Sequence, residues 1–204
     1  MANYISENAR KVTTTMLTEM KKQGQRISML TAYDYTMGGL VDRAGIDMIL
    51  IGDSASNVMA GNETTLPITL DQMIYHARSV ARAAKHALVV CDMPFGTYQV
   101  CTEDALRAAV RIMAESGVDA VKLEGGEPVI KTVKALVQAG IPVCGHLGLT
   151  PQSVHVFGGF GLRAKEDAEA QQLIKDAKAL QEAGCFAIVL EKIPAKLTEQ
   201  VCAE

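Results

Sequence analysis

The chain has 204 residues, 49% of them hydrophobic, and a formal net charge of −3, which suits one α/β domain with a full core and gives no basic surface for nucleic acid. Aromatic residues make up 4% and tryptophan is absent, so a base-stacking platform is excluded as well. No apolar run reaches membrane-spanning length, and Met1-Ala2-Asn3-Tyr4 does not begin an export signal, so no membrane partner is expected.

In chain order, residues 1–11 are polar and irregular. Val12, Met16 and Met20 then recur at helical spacing up to Gly24, predicting an amphipathic helix over residues 12–23 that precedes the domain, with Thr13, Thr14 or Thr15 as its cap. A strand–helix unit follows and repeats. Strands are predicted at 27–31, 47–51, 87–91, from Asp119 through Glu124, at 143–146 and at 187–191. A helix after the first strand runs to Ala44. Thr69 and Gln72 form a capping box for a second, whose stripe is Met73, Ile74, Ala77, Val80, Ala81 and Ala84. Thr102 caps a third with Leu106, Ala109, Val110 and Met113 inward. Pro128 opens a fourth with Val129, Val133, Leu136 and Val137 inward. A loop rich in glycine (Gly158, Gly159, Gly161) leads to a helix from about Lys165 to Ala183, and Pro194 opens the last one.

Ala44-Gly45-Ile46, Ser116-Gly117-Val118, Ala139-Gly140-Ile141 and Ala183-Gly184-Cys185 share one pattern: a helix end, a glycine fit for the left-handed C′ position, and an apolar entry into a strand. Gly45 to Gly184 spans 139 residues and four units, about 35 each. Such alternation predicts a single domain over residues 1–204 with a parallel sheet inside a layer of helices. No GxGxxG or Walker-type loop is present, which counts against dinucleotide or nucleoside triphosphate binding. The five cysteines (Cys91, Cys101, Cys144, Cys185, Cys202) form no CxxC and read as reduced thiols of a cytoplasmic protein rather than a zinc site.

The candidate chemistry stands where the apolar runs end: Asp53-Ser54, Asp92, Lys122 and Glu124, His146 and Glu191. In a β/α barrel all such ends meet on one rim. Along the fourth strand, alternation points Lys122 and Glu124 to one face and Val121 and Leu123 to the other. Asp53, Asp92 and Glu124 would then form a cluster of carboxylates that repel unless a cation sits among them. Oxygen donors without Cys or a His pair point to Mg²⁺ or a similar ion. Glu191 follows an apolar run, so burial is expected to raise its pKa and fit it as a general base. His146 either polarises a carbonyl or bonds the backbone.

Ile51-Gly52-Asp53-Ser54, Thr64-Thr65-Leu66-Pro67-Ile68-Thr69, Asp92-Met93-Pro94-Phe95, Lys122-Leu123-Glu124-Gly125-Gly126, the run from Gly145 to Ser153 (GHLGLTPQS) and Leu190-Glu191 resemble, in this order, the ketopantoate hydroxymethyltransferase family. The resemblance runs from about Val12 to the end of the chain. It implies a (β/α)₈ TIM barrel, of which about six of the eight units stand here. It also implies transfer of a one-carbon unit from 5,10-methylenetetrahydrofolate to 3-methyl-2-oxobutanoate, with Mg²⁺, in pantothenate synthesis. The metal-binding acids of the family fall on Asp53, Asp92 and Glu124, its keto-acid contacts on Asp53, Ser54, Asp92 and Lys122, and its catalytic base on Glu191. A large homo-oligomer, a decamer, is implied too. Ala55-Ser56 and Asn62 stand where many members carry Leu-Gly and a His, in the loop over the site, and bear on loop closure and folate fit.

Two rival readings are a Mg²⁺-dependent carbon–carbon lyase or mutase of the phosphoenolpyruvate mutase and isocitrate lyase type, and an inactive, C-terminally incomplete chain that folds only with partner subunits. GHLGLTPQS and the lack of a cysteine loop after the fourth strand speak against the first. Acids at the strand ends speak for chemistry in the parent fold.

Overall fold

The structure, a computed structural model, describes residues 10–203; most of the irregular start expected for residues 1–11 lies outside them. After helix α1 (Thr14–Lys22), strand–helix units follow one another: β1 (Met29–Thr31), α2 (Tyr35–Arg43), β2 (Met48–Ile51), a short α3 (Ala55–Val58), α4 (Leu70–Ala83), β3 (Leu88–Asp92), α5 (Thr102–Ser116), β4 (Ala120–Glu124), α6 (Ile130–Gln138), β5 (Val143–Gly148), a short α7 (Val154–Phe157), α8 (Asp167–Glu182), β6 (Ala187–Glu191) and α9 (Ala195–Ala203). The six strands lie in sequence order and every neighbouring pair is parallel. All strands therefore end on the same rim. The four glycine junctions behave as the pattern predicts: Gly45, Gly117, Gly140 and Gly184 have φ of 85°, 78°, 82° and 100°, where a side chain would be strained.

Alternation along the strands divides the apolar residues between two cores. Ile49, Val89, Val121, Leu123 and Val143 face outward and pack with Met73 and Val80 of α4, Ile112 of α5, Leu136 of α6 and Leu180 of α8. Met48, Leu88, Val90, Ala120 and Cys144 face inward and meet Val12 and Leu17. Helix α1 thus closes the lower end of the curled sheet, opposite the rim. Lys11 fastens its lead-in, with Nζ 2.9 Å from Asp119 Oδ2 and donating to the Ala87 carbonyl at 2.7 Å. On the helix side Asp42 is 4% exposed, and its carboxylate accepts from the backbone N–H groups of Lys85, His86 and Ala87, tying the end of α2 to the turn before β3.

Several sequence expectations shift. The buried face of α1 is Leu17, while Met16 is 37% exposed. The helix begins only at Thr14, capped by Thr13, so Val12 lies outside it and does not set its phase. Cys101, not Thr102, is the residue before α5, with no side-chain cap. Its buried stripe is Ala105, Ala108, Ala109 and Ile112, leaving Val110 53% exposed: the small residues let α5 approach the sheet closely. The capping box of α4 is present as expected, with Thr69 and Gln72 each bonding the other's backbone N–H. Strand β6 is half-buried along its whole length, because it pairs with β5 alone.

Leu17→Ala should lower the stability of the chain by about 2–5 kcal/mol in denaturant unfolding, the usual cost of a cavity in a packed core, whereas Met16→Ala should change it by less than about 0.5 kcal/mol. Equal effects would mean that α1 does not dock through Leu17.

Candidate active site

Alternation and register place the polar residues. Above the inner apolar layer, the next inward positions are Asp92 on β3, Lys122 and Glu124 on β4, and His146 on β5; Asp92 is paired with Lys122 across the sheet, and Glu124 with His146. Asp53 follows β2, where its backbone N–H donates to Asp92 Oδ2 at 3.1 Å. All five are 2–7% exposed. Lys122 Nζ lies 2.8 Å from Asp92 Oδ1 and 3.2 Å from His146 Nδ1. His146 Nδ1 is 3.4 Å from Glu124 Oε1, and its Nε2 is 3.8 Å from Glu191 Oε1. The structure therefore gathers Asp53, Asp92, Lys122, Glu124 and His146 into one buried cluster. Ser54 stands beside it, its Oγ 2.8 Å from the Tyr33 hydroxyl. Glu191 reaches the edge of the cluster, but its side chain is 45% exposed. The burial expected for Glu191 is corrected: β6 has a strand on one side only, so water reaches its end.

Three buried carboxylates meet one ammonium, an excess of two negative charges if all are ionised. Burial, then Asp92 and Glu124, push the Asp53 carboxyl up to about 7. Burial also raises Glu124 to about 7, against the pull of Lys122. Lys122 goes the other way: burial opposes its charge, but Asp92, Glu124 and Asp53 outweigh burial and hold its pKa above the usual lysine value. His146 is lowered to about 3, by burial and by Lys122, and is neutral near pH 7. A charged lysine can only donate, so His146 Nδ1 accepts and the ring proton sits on Nε2, which is buried and lies 3.8 Å from Glu191 Oε1 without a hydrogen bond.

Asp92 Oδ1 is buried, and apart from its ion pair with Lys122 it receives no well-aligned hydrogen bond. Among the described residues no three acidic, His or Cys side chains converge into a closed ligand set. Mg²⁺ does not need one, since it is commonly held by one or two carboxylates and completes its shell with water and substrate oxygens. Hard oxygen donors, excess negative charge and an under-bonded carboxylate oxygen fit such an open site at Asp53, Asp92 and Glu124.

Two further residues organise the cluster and were not singled out from sequence. Gln152 lies in a single 3₁₀ turn after β5 (Pro151–Ser153) and bonds both Asp53 and Glu124. Tyr98, 3% exposed, accepts from the Glu124 backbone N–H at 3.1 Å. Gln152 falls within GHLGLTPQS, but an amide in a loop gives no local sign of a partner 99 residues away. In the loop over the site, Ser56 and Asn62 bond each other. Ser56 Oγ donates to the Thr64 carbonyl at 2.8 Å and accepts from Asn62 Nδ2 at 3.1 Å, and Asn57 Nδ2 reaches the Asn62 carbonyl at 2.8 Å. These polar bonds hold the segment after Asp53 in a closed turn.

A family model described as ketopantoate hydroxymethyltransferase matches residues 11–204. The chain belongs to the ketopantoate hydroxymethyltransferase family. Among its relatives, the 3-methyl-2-oxobutanoate hydroxymethyltransferase of Bacteroides thetaiotaomicron is 66% identical over 204 residues, covering 100% of this chain and 75% of the relative. The protein of the same description from Flavobacterium johnsoniae is 62% identical over 192 residues, covering 94% and 71%. Among solved structures, 2,3-dimethylmalate lyase, a member of the PEP mutase/isocitrate lyase superfamily, aligns with a TM-score of 0.65 at 17% identity over 93% of this chain and 67% of its own. Oxaloacetate acetylhydrolase aligns with a TM-score of 0.67 at 12% identity over 93% and 67%. At such identities the likeness is one of fold: a curled parallel sheet with helices outside, shared by this chain and these two enzymes.

The raised carboxyls have a measurable consequence. Asp53 and Glu124 bind a proton more tightly in the folded than in the unfolded chain, so the stability they contribute is complete below their ordinary values of 3.8 and 4.5 and is lost as pH rises through about 7. In melts with chelator present, Asp53→Asn should therefore gain on the parent as pH rises, reaching a Tm about 2–6 °C higher at pH 8. A difference between the two proteins that stays constant from pH 5 to pH 8 would contradict the assignment.

Proposed function

We propose that this chain carries out Mg²⁺-dependent transfer of a hydroxymethyl group from 5,10-methylenetetrahydrofolate to 3-methyl-2-oxobutanoate, giving 2-dehydropantoate for pantothenate and coenzyme A synthesis. The observation that carries this reading is the buried acid–lysine cluster on the strand-end rim, in a chain 66% identical to a protein named for that reaction. The lyase or mutase reading shares only the fold: its structures lie at 12–17% identity, whereas relatives named as hydroxymethyltransferases lie at 60–66%.

Asp53, Asp92 and Glu124 are the residues that would hold Mg²⁺, and Asp53, Ser54, Asp92 and Lys122 those that would hold the 2-oxo acid. When bound, Mg²⁺ supplies Lewis acidity toward the keto oxygen. Lys122, kept charged by its carboxylate neighbours, sets a fixed positive charge where negative charge develops as the substrate enolises. Glu191 takes the proton from C3; water releases the one-carbon unit of 5,10-methylenetetrahydrofolate at the oxidation level of formaldehyde, both of its C–N bonds breaking to leave tetrahydrofolate, and C3 bonds that carbon while its oxygen takes a proton to complete the hydroxymethyl group. Glu191 stands at the open edge of the cluster, where substrate has access. His146 stands beside Glu191, its Nε2 3.8 Å from Glu191 Oε1, and does not compete for the proton because the ring stays neutral.

The same reading extends to the setting of the chain. We take the six strands as part of a single (β/α)₈ barrel domain. Apolar side chains such as Tyr35, Val58 and Tyr75, 63%, 62% and 70% exposed in the isolated chain, offer surface for a homo-oligomer, for which the family resemblance implies a decamer. All five cysteines are free, consistent with the cytoplasm, and among the described residues no helix is long and apolar enough to cross a membrane.

Glu191→Gln keeps the shape of the side chain and removes the base. With Mg²⁺ and without folate, exchange of the C3 proton of 3-methyl-2-oxobutanoate for deuterium, followed by NMR, should slow by about 10²–10⁴-fold, while binding of the 2-oxo acid changes little. Exchange at the parent rate would transfer the role of base to another group.

A further inference from the structure

Gln152 reaches back from the turn after β5 across the ends of three other strands. Its Nε2 donates to Asp53 Oδ2 at 2.8 Å, beyond β2, and to the Met93 carbonyl at 3.0 Å, beyond β3. Its Oε1 accepts from the Tyr98 hydroxyl at 2.6 Å and from Gln99 Nε2 at 2.8 Å. Its backbone N–H donates to Glu124 Oε2 at 3.0 Å, at the end of β4. The orientation of the amide follows from these partners. A carboxylate and a carbonyl can only accept, which fixes Nε2 on their side. The Gln99 amide nitrogen can only donate, which fixes Oε1 on the other. All four hydrogen-bonding sites of the side chain are engaged, and the residue is 7% exposed.

One residue therefore holds one oxygen of Asp53 through its side chain and one oxygen of Glu124 through its backbone. Asp53 sits in a turn and has no strand to fix its direction, so its carboxylate is free to rotate unless something pins it. Tyr98 strengthens the brace by bonding both the Gln152 amide and the Glu124 backbone. Neutral donors suit this task. A lysine or arginine in the same place would bond the acids equally well but would cancel the negative charge that a divalent ion needs.

We propose that Gln152 is a positioning residue that fixes the spacing and rotation of the Asp53 and Glu124 carboxylates and so sets the affinity of the site for a divalent cation. This rests on the metal reading given above. Partners that orient metal-binding side chains commonly contribute about 10–100-fold to affinity.

The test is Mg²⁺ titrated by calorimetry into the parent chain, Gln152→Met and Tyr98→Phe, with the Tm of each recorded in chelator. Gln152→Met keeps the volume and removes every side-chain bond. We expect its Kd for Mg²⁺ to rise about 10–100-fold. Tyr98→Phe leaves the Asp53 and Glu124 bonds to Gln152 in place but loosens the amide. Its Kd should rise less, by about 3–10-fold on the same scale. A purely structural glutamine would lower the Tm and leave the Kd unmoved, and that outcome overturns the proposal. Should Gln152→Met fail to fold, Tyr98→Phe decides alone: an unchanged Kd overturns the proposal and a weaker one supports it. A parent chain that binds no divalent ion overturns the metal reading itself and this proposal with it, whereas a parent that binds while both variants bind equally well overturns this proposal alone.

Discussion

One buried lysine faces three buried carboxylates, and the upper half of the curled sheet is built around that imbalance. Lys122 pairs with Asp92 at 2.8 Å, and both lie at inward positions directly opposite each other on neighbouring strands. Breaking such a pair by removing one partner typically costs about 3–5 kcal/mol, because the other charge is left buried and alone. Yet the pair neutralises only itself. Asp53 and Glu124 remain, and burial raises both toward neutrality. A chain selected for stability alone would have fewer acids here. Under the proposed function, a cation and an anionic substrate are what would make use of this excess.

The lower half of the fold makes this upper half possible. Inward side chains change from apolar to polar along the same strands: Leu88 and Val90 precede Asp92, Ala120 precedes Lys122 and Glu124, and Cys144 precedes His146. Helix α1 closes the bottom with Val12 and Leu17, so the inner layer below the cluster is dry. A low-dielectric floor strengthens every charge interaction above it. A similar fold is found in 2,3-dimethylmalate lyase and oxaloacetate acetylhydrolase at 17% and 12% identity, and a fold shared so widely does not by itself specify a reaction.

What the sequence disclosed followed from short-range rules. Strand positions, the Thr69–Gln72 box and the four helix-ending glycines depend on residues a few places apart, and each was legible. The rim residues Asp53, Asp92, Lys122, Glu124 and His146 were legible because period-two alternation and parallel order bring strand ends together without further information. The phases of α1 and α5 were not, since Leu17 and Ala105 are buried by what they pack against and not by local pattern. Glu191 was misjudged for exposure because its burial depends on a neighbour beyond β6, which no local run encodes. Gln152 and Tyr98 were invisible for a related reason: polar loop residues acquire a role only through partners far away in the chain.

Under the proposed function, the excess negative charge among Asp53, Asp92 and Glu124 seats a divalent cation. This is tested most directly by a crystal structure of the chain grown with Mn²⁺ in place of Mg²⁺, with anomalous scattering recorded to locate the metal. One strong anomalous peak is expected at the rim, within coordinating reach of Asp53 and Asp92, with Glu124 at its side. A crystal saturated with Mn²⁺ that shows no peak there, or shows its peaks only at surface acids, would contradict it.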